Sequence, residues 1–450
     1  MPVNYSYRKY VDARQDLANR LYDPDKQFWS DAELGYYIKD ALRTWNSLSN
    51  FFREEYPLNL QSSVVWYDIT SAAVAPGTLR AFTLTDVDIY TGIEYHLLEP
   101  PLAGGLWIGS LQFSVADMLS AVQRRRDEIL SNTGCTVTRK LIDAPIQRRV
   151  YLTDSEIDIR RVAWLPTGSV FSNLPLWLDD SFSLQAFSRG YTLGKGVPSV
   201  YQKSSSPQLS FDVDYEPPVP GNYELLVVDA GSELSASAPS VLNIPDDYAW
   251  VLRFGALADL LSRESNAKDT LRAQYCNLRY EQGLALLLSS SAILSVRLKD
   301  TPLDIDSVYN LDNFRPNWQA EQAGEPDVLI TTGLNLVGFA KTPGSSYTVV
   351  LGVVRNAPLP SLDDDYIQAG RDEYDVIVDY AQHVAMFKVG GMEFLETLPL
   401  LHRFIRQAKI YNAKLMELGE FNDVMYAYSK DQQEDAPTYV ADSTGDKSSV

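Results

Sequence analysis

The chain has 450 residues, 45% hydrophobic and 22% charged, with a formal net charge of −20; length and apolar content predict roughly two to four domains with real cores. No apolar run approaches the ~20 residues of a membrane helix, the longest being Gly283 to Leu288, and the opening Met1-Pro2-Val3-Asn4 lacks the apolar core of a secretory signal. The acidic excess works against a grip on nucleic acid, which relies on Lys and Arg to release counterions.

Leu17, Leu21, Leu34, Ile38, Leu42 and Trp45 recur at three- and four-residue spacing, which predicts a helical hairpin over residues 1–60, broken near Asp23-Pro24-Asp25. Residues 61–112 read as a small β region, from Val64-Val65-Trp66-Tyr67 to Gly92-Ile93-Glu94-Tyr95. A helix from Phe113 to Ser131, stopped at Asn132-Thr133-Gly134, opens a helix/β/helix module over 113–300. Its strands alternate from about Val150 to Val228, and helices follow from Tyr248 to Leu288. A second β/helix module spans 301–428, with strands from about Val308 to Val354 and helices from about Tyr366 to Leu418. The polar, acidic stretch 429–450 reads as a disordered tail. The expected fold class is therefore α+β: helical bundle segments with antiparallel β-rich insertions, internally duplicated.

The duplication rests on landmarks that recur in order. Asp158-Ile159-x-x-Val162, Pro175-x-Trp177, Gly196-x-Pro198, Pro220-Gly221-x-Tyr223 and Asp246-Asp247-Tyr248 are followed by Asp304-Ile305-x-x-Val308, Pro316-x-Trp318, Gly324-x-Pro326, Pro343-Gly344-x-x-Tyr347 and Asp364-Asp365-Tyr366. A further echo joins Trp29-Ser30-Asp31-Ala32-Glu33-Leu34 to Phe113-Ser114-Val115-Ala116-Asp117-Met118. In each, serine can cap a helix and the acid three residues on can reach back. Such repetition points to a scaffold. Turn chemistry accounts for the Asp-Asp-Tyr pairs, and core anchoring for Trp177 and Trp318.

Chemistry is sparse. His96, His383 and His402 are too scattered to name a metal site or a triad, with His383 reading as a partly buried helix histidine, and Cys135 and Cys276 match no zinc or redox spacing. The loop Gly190 to Gly196 lacks phosphate-loop spacing. Asp212, Asp214 and Glu216 read as a solvated strand face, and Asp363-Asp364-Asp365 as charge at a helix start. No cofactor and no enzyme activity are expected. One positive zone departs from the acidic average: Arg124-Arg125-Arg126 with Arg139-Lys140, Arg148-Arg149 and Arg160-Arg161. Such a zone can dock an acidic neighbour, including another copy; a helix flank with scattered ion pairs is the plainer reading.

Trp29 to Leu34, followed by the helix through Ala41-Leu42-Arg43-Thr44-Trp45-Asn46, resembles the opening of head-to-tail adaptor (head completion, neck or connector) proteins of tailed bacteriophages. Ile244-Pro245-Asp246-Asp247-Tyr248 resembles the turn that enters their closing helix, and Leu362-Asp363-Asp364-Asp365-Tyr366 matches it without the proline. Simple adaptors are shorter, so the resemblance implies a duplicated or elaborated form. It implies a structural virion protein at the neck, made in the bacterial host cytoplasm, that assembles as a dodecameric ring on the portal protein ring. Such a ring extends the DNA channel and offers tail or nozzle proteins an attachment surface, with double-stranded DNA as transient cargo and no membrane partner. The expected partner-binding residues are Arg124, Arg125 and Arg126, with Ser429, Asp431, Glu434, Asp435 and Tyr439 in a tail that orders on docking. The alternative is a tail or baseplate protein whose β modules recognise carbohydrate.

Overall fold

In the computed structural model the described residues are 5–70, 81–97, 113–144, 148–167, 174–180, 182–183, 186, 194–205, 208–263 and 268–412. The architecture is α+β. Helices α1 (Tyr10–Arg20) and α2 (Asp31–Ser49) form the expected hairpin and lead into β1 (Arg53–Leu60) and β2 (Trp66–Asp68). Helices α3 (Asp86–His96) and α4 (Val115–Thr133) precede β3 (Thr138–Ala144), β4 (Arg149–Tyr151), β5 (Glu156–Pro166), β6 (Leu174–Leu178), β7 (Val200–Ser204), β8 (Ser210–Val213) and β9 (Gly221–Asp229). Then come α5 (Ala249–Ser262) and α6 (Thr270–Ser289), β10 (Ile293–Leu298), β11 (Thr301–Pro302), β12 (Asp304–Ser307) and α7 (Val308–Phe314). The described chain closes with β13 (Val328–Thr332), β14 (Leu336–Ala340), β15 (Tyr347–Val354), α8 (Arg371–Met386), α9 (Gly391–Leu395) and α10 (Leu398–Tyr411).

Two long helices start and stop alike. Ser30 Oγ accepts the Glu33 N–H at 3.3 Å while the Glu33 carboxylate accepts the Ser30 N–H at 2.9 Å, a reciprocal cap. Ser114 Oγ likewise accepts the Asp117 N–H at 3.2 Å. Both helices end in a left-handed residue, Asn50 (φ 50°) and Gly134 (φ 57°), which frees the chain to enter a strand.

Residues from 81 to 290 hold the sheet β3-β9-β5-β6-β7-β8-β4, whereas the segments flanking them combine to make β1-β15-β10-β11 and β12-β13-β14-β2. These two strand systems share one pairing scheme. β3 with β9, β9 with β5, β5 with β6, β7 with β8 and β8 with β4 are antiparallel, and β6 with β7 is parallel. The same order and sense hold for β1 with β15, β15 with β10, β10 with β11, β13 with β14 and β14 with β2, with β12 parallel to β13. Even the irregularity repeats: the register slips between Ile159 and Arg161 on β9 and between Ile293 and Ser295 on β15. Isolated antiparallel bridges tie Thr85 to Val241 and Lys9 to Tyr366, and parallel ones tie Lys195 to Glu216 and Gly324 to Pro343. We call residues 81–290 the inner unit and the two flanking segments together the outer unit.

Several expectations are corrected. Gly92-Ile93-Glu94-Tyr95 is helical, because Asp88 accepts both the N–H and the hydroxyl of Thr85 at 2.9 Å and nucleates α3. Val308 starts a helix, its first turn capped by Ser307 Oγ on the Asn310 N–H at 3.2 Å. Pairing runs across the expected boundaries: β1 pairs with β15, β2 with β14, and β10 with β11 over 300/301. Ser30 and Ser114 hold matching places, but Gly324 bridges Pro343 where Lys195 bridges Glu216, Pro220 directly precedes β9 while Pro343 lies four residues before β15, and Asp158–Val162 lies in β5 while Asp304–Ser307 forms β12, the partner of a different strand. Trp318 is fully buried, whereas Trp177 is 44% exposed and anchors no core.

Candidate functional site

The contact between the units is built from α2 outward. Helix α2 packs on α8 and α10 of its own unit, and its remaining face meets α5, so that fourteen of its nineteen residues are buried: Glu33, Leu34, Gly35, Tyr37, Ile38, Asp40, Ala41, Leu42, Thr44 through Ser49. At the centre Arg253, with no exposed surface, donates to both carboxylate oxygens of Asp40 at 2.7 Å and to Tyr36 Oη at 2.7 Å. Burial alone would lower the guanidinium pKa; Asp40 and Tyr36 offset that and hold it well above its ordinary value. Nearby Asn46 Nδ2 donates to Asp247 at 2.6 Å and Trp250 Nε1 to Ser47 Oγ at 3.0 Å.

Two further contacts continue this join. Asn335, in the turn between β13 and β14, accepts the Val137 N–H at 2.8 Å and donates to the Val137 carbonyl at 2.9 Å. Helix α7 and the turn after it lie on the outward face of the inner sheet. There Arg161 donates to Asp312 at 2.5 and 2.9 Å and to Glu224 at 3.0 Å, and Trp318 Nε1 donates to Asp312 at 2.9 Å. Trp318 and Leu311 share an apolar cluster with Leu226 of β9. The outer unit therefore contributes α2, α8, a hairpin turn and the β12–β13 crossover, while the inner unit contributes α3, the start of α5, α6, the link from α4 to β3 and the sheet face of β5 and β9.

The arginines expected to form one docking zone are dispersed. Arg126 is 1% exposed and donates to the Ser232 carbonyl at 3.0 Å; Arg125 donates to Asp259 at 2.6 and 2.9 Å and lies 4.6 Å from the centre of the Tyr280 ring. Arg139 and Arg161 are held by Glu224, Arg149 by Asp212 and Arg160 by Asp158. Arg124 alone of the triplet keeps an open side chain, 65% exposed, although it too reaches Asp259. Arg124, Asp117 and Ser120 of α4 line a cleft of about 270 Å³ with Asp259 of α5 and Arg263 just beyond it. Ser429, Asp431, Glu434, Asp435 and Tyr439 lie outside the described residues.

The acidic sets are structural. Asp214 is buried and accepts the N–H and hydroxyl of Ser199 at 2.9 and 2.6 Å, and Asp212 is taken up by Arg149 and Gln202. Asp365 accepts the Ser361 and Leu362 N–H groups at 2.7 Å, so it closes a turn that ends before α8 begins. His383 is completely buried between Tyr275 Oη and Thr397 Oγ1 at 2.7 and 2.8 Å. Burial, with Arg279 nearby, pushes its pKa down to about 3. Cys135 and Cys276 are buried and unpaired with each other. Among the described residues no group of His, Cys, Asp and Glu could hold a metal ion, and no helix is long and apolar enough to cross a membrane.

Exposed apolar residues are scattered over the described surface, and they include Trp177 and Leu178 at the end of β6 and Phe182 after it, at 44%, 53% and 81%, and Tyr309 and Phe314 on α7, at 68% and 87%. Sequence reasoning placed Trp177 in the core because aromatic residues in strands usually are; the acidic pair Asp179-Asp180 two residues on was the available signal. Compared with known proteins, the chain matches no family model, and no curated protein resembles it.

Proposed function

We propose that this chain is a structural assembly subunit: a head-to-tail adaptor of a tailed bacteriophage that forms a ring on the portal, continues the DNA channel and presents a surface to tail or nozzle proteins. One observation carries the reading. The residues behind the resemblance act as helix entries: Ser30 caps the long helix α2, Ser114 caps α4 in the same way, and Asp246-Asp247-Tyr248 turns directly into α5. A chain with this much order spent on scaffold contacts suits a geometric role, and its charge of −20 suits a conduit along which DNA slides without sticking. The tail 429–450 supplies an arm for the portal.

Antibody-gold labelling of this chain on purified virions, viewed by negative-stain electron microscopy, tests the proposal. Label at the head–tail junction is the expected result. Label at the tail tip would replace the proposal with a carbohydrate-binding tail protein, and particles without label would remove the chain from the virion.

A further inference from the structure

We infer that the chain is two copies of one module, the inner inserted into the outer between β2 and β10, and that the contact joining them inside the chain is repeated between chains, head to tail, so that each chain docks on a second copy. This stands on the chain's own contacts and does not need the adaptor reading.

The equivalence holds beyond strand order. From the cap at Ser30 through Asn50 to Glu55 the outer unit runs in step with Ser114, Gly134 and Arg139 of the inner one, without insertion or deletion. The N–H of Ile367 donates to the Arg8 carbonyl at 2.9 Å, as that of Leu242 does to Leu84 at 3.0 Å. The same trio of helices packs in each unit: α2 with α8 and α10, and α4 with α5 and α6.

The join between the units is not symmetric. The outer unit offers α2, α8 and its crossover, and the inner unit offers α3, the start of α5, α6 and its sheet face. A pair related by a two-fold axis would show the reverse contacts as well, α4 on α8 and the inner crossover on β15. The contacts described run only one way, which is the definition of a heterologous interface. Each chain therefore ends in two unlike faces that match the two sides of its own internal join.

Both faces are open where the opening helices, crossovers and sheets meet, although α5, the counterpart of α8, is already buried within its own chain. On the inner unit α4 buries only Met118, Ala121, Val122, Arg126, Ile129 and Leu130, against the fourteen residues of α2. Arg124 stands where α2 carries Asp40, and Trp177, Leu178 and Phe182 project from the crossover that corresponds to the one bearing Trp318. On the outer unit the positions matching Leu226 and Glu224 are Gly352 and Val350, as the shared register slip fixes. The strands beside them leave Glu55, Pro57, Ser295 and Thr348 exposed. Charge fits this pairing: Arg124 is open on one face, and Asp372 and Asp375 are exposed at the start of α8 on the other. Repetition of a heterologous contact closes into a ring or runs on as a filament.

The test uses the full chain in solution. Sedimentation velocity across roughly 1–100 µM protein should show wild type assembling beyond a dimer, with Trp177→Asp, which spoils one face, and Val350→Asp, which spoils the other, each monomeric. Glu55→Arg serves as a second, fully surface variant of the second face, and unchanged circular dichroism establishes that each variant is folded. An equimolar mixture of Trp177→Asp and Val350→Asp still holds one intact face of each kind, so it should form dimers and nothing larger. Wild type that stays monomeric at 100 µM, a folded variant that assembles like wild type, or a mixture with no dimer would each overturn the inference. These results are read without virions, so they are separable from the gold-label outcome.

Discussion

Replacing Asp40 by Ala removes the anion that faces Arg253 at the centre of the join. Arg253 has no exposed surface and Asp40 is 3% exposed, so the guanidinium left behind cannot reach water. It would keep one hydrogen bond, to Tyr36 Oη, and the ring face of Phe254 5.0 Å away, while its Nε already has no partner in the structure. Breaking a buried pair by removing one partner costs about 3–5 kcal/mol, chiefly from the uncompensated charge. Urea unfolding followed by tryptophan fluorescence and circular dichroism measures the loss. Adding Arg253→Met removes the stranded charge, so the double variant Asp40→Ala/Arg253→Met should recover at least ~1 kcal/mol of it. A loss below about 1 kcal/mol for Asp40→Ala, or a double variant less stable than the single one, would show that the pair does not hold the units together.

The two tryptophans of the apparent repeat part company: Trp318→Ala should cost about 3–5 kcal/mol, and Trp177→Ala about 1 kcal/mol or less in dilute protein, by the same urea assay. Stability should also fall with acid. Burial depresses the folded pKa of His383 to about 3 and of His96 well below its ordinary value, whereas both take protons near ~6.5 when unfolded. Below that pH the unfolded chain binds more protons, so the contribution is complete above ~6.5 and is lost progressively as the pH falls below it; a melting temperature that holds or rises from pH 7.5 to 5.5 contradicts this. Burial raises both thiols, Cys276 most, so a thiol reagent should label them only as fast as the chain unfolds. Finally, Arg124→Glu should weaken assembly in a salt-sensitive way while leaving the fold intact. Arg126→Glu should unfold the region around Ser232.

Local physics was well marked in the sequence. The caps at Ser30 and Ser114 and the break at Asp23-Pro24-Asp25 follow from short-range rules and are observed, whereas β9, expected to be half-buried, is buried on both faces because α7 and Trp318 cover its outward side. What stayed hidden was long-range. Nothing near Arg53 announces that β1 will pair with β15 some three hundred residues on, so the outer unit, split by the inner one, looked like a hairpin plus a later module. Helix α3 was hidden because Ile89, Ile93 and Tyr95 are β-prone, and the cap at Thr85 and Asp88 decided the matter. The arginine run appeared as one patch because adjacent residues on a helix point in different directions: Arg124 outward, Arg125 along α5 and Arg126 into the core.

A reconstruction of the head–tail junction from virions of the source, by cryo-electron microscopy, tests the central claim most directly. The account predicts this chain directly beneath the portal as a ring in which inner and outer units alternate. A junction without it, or density for it only at the tail tip, would contradict the account.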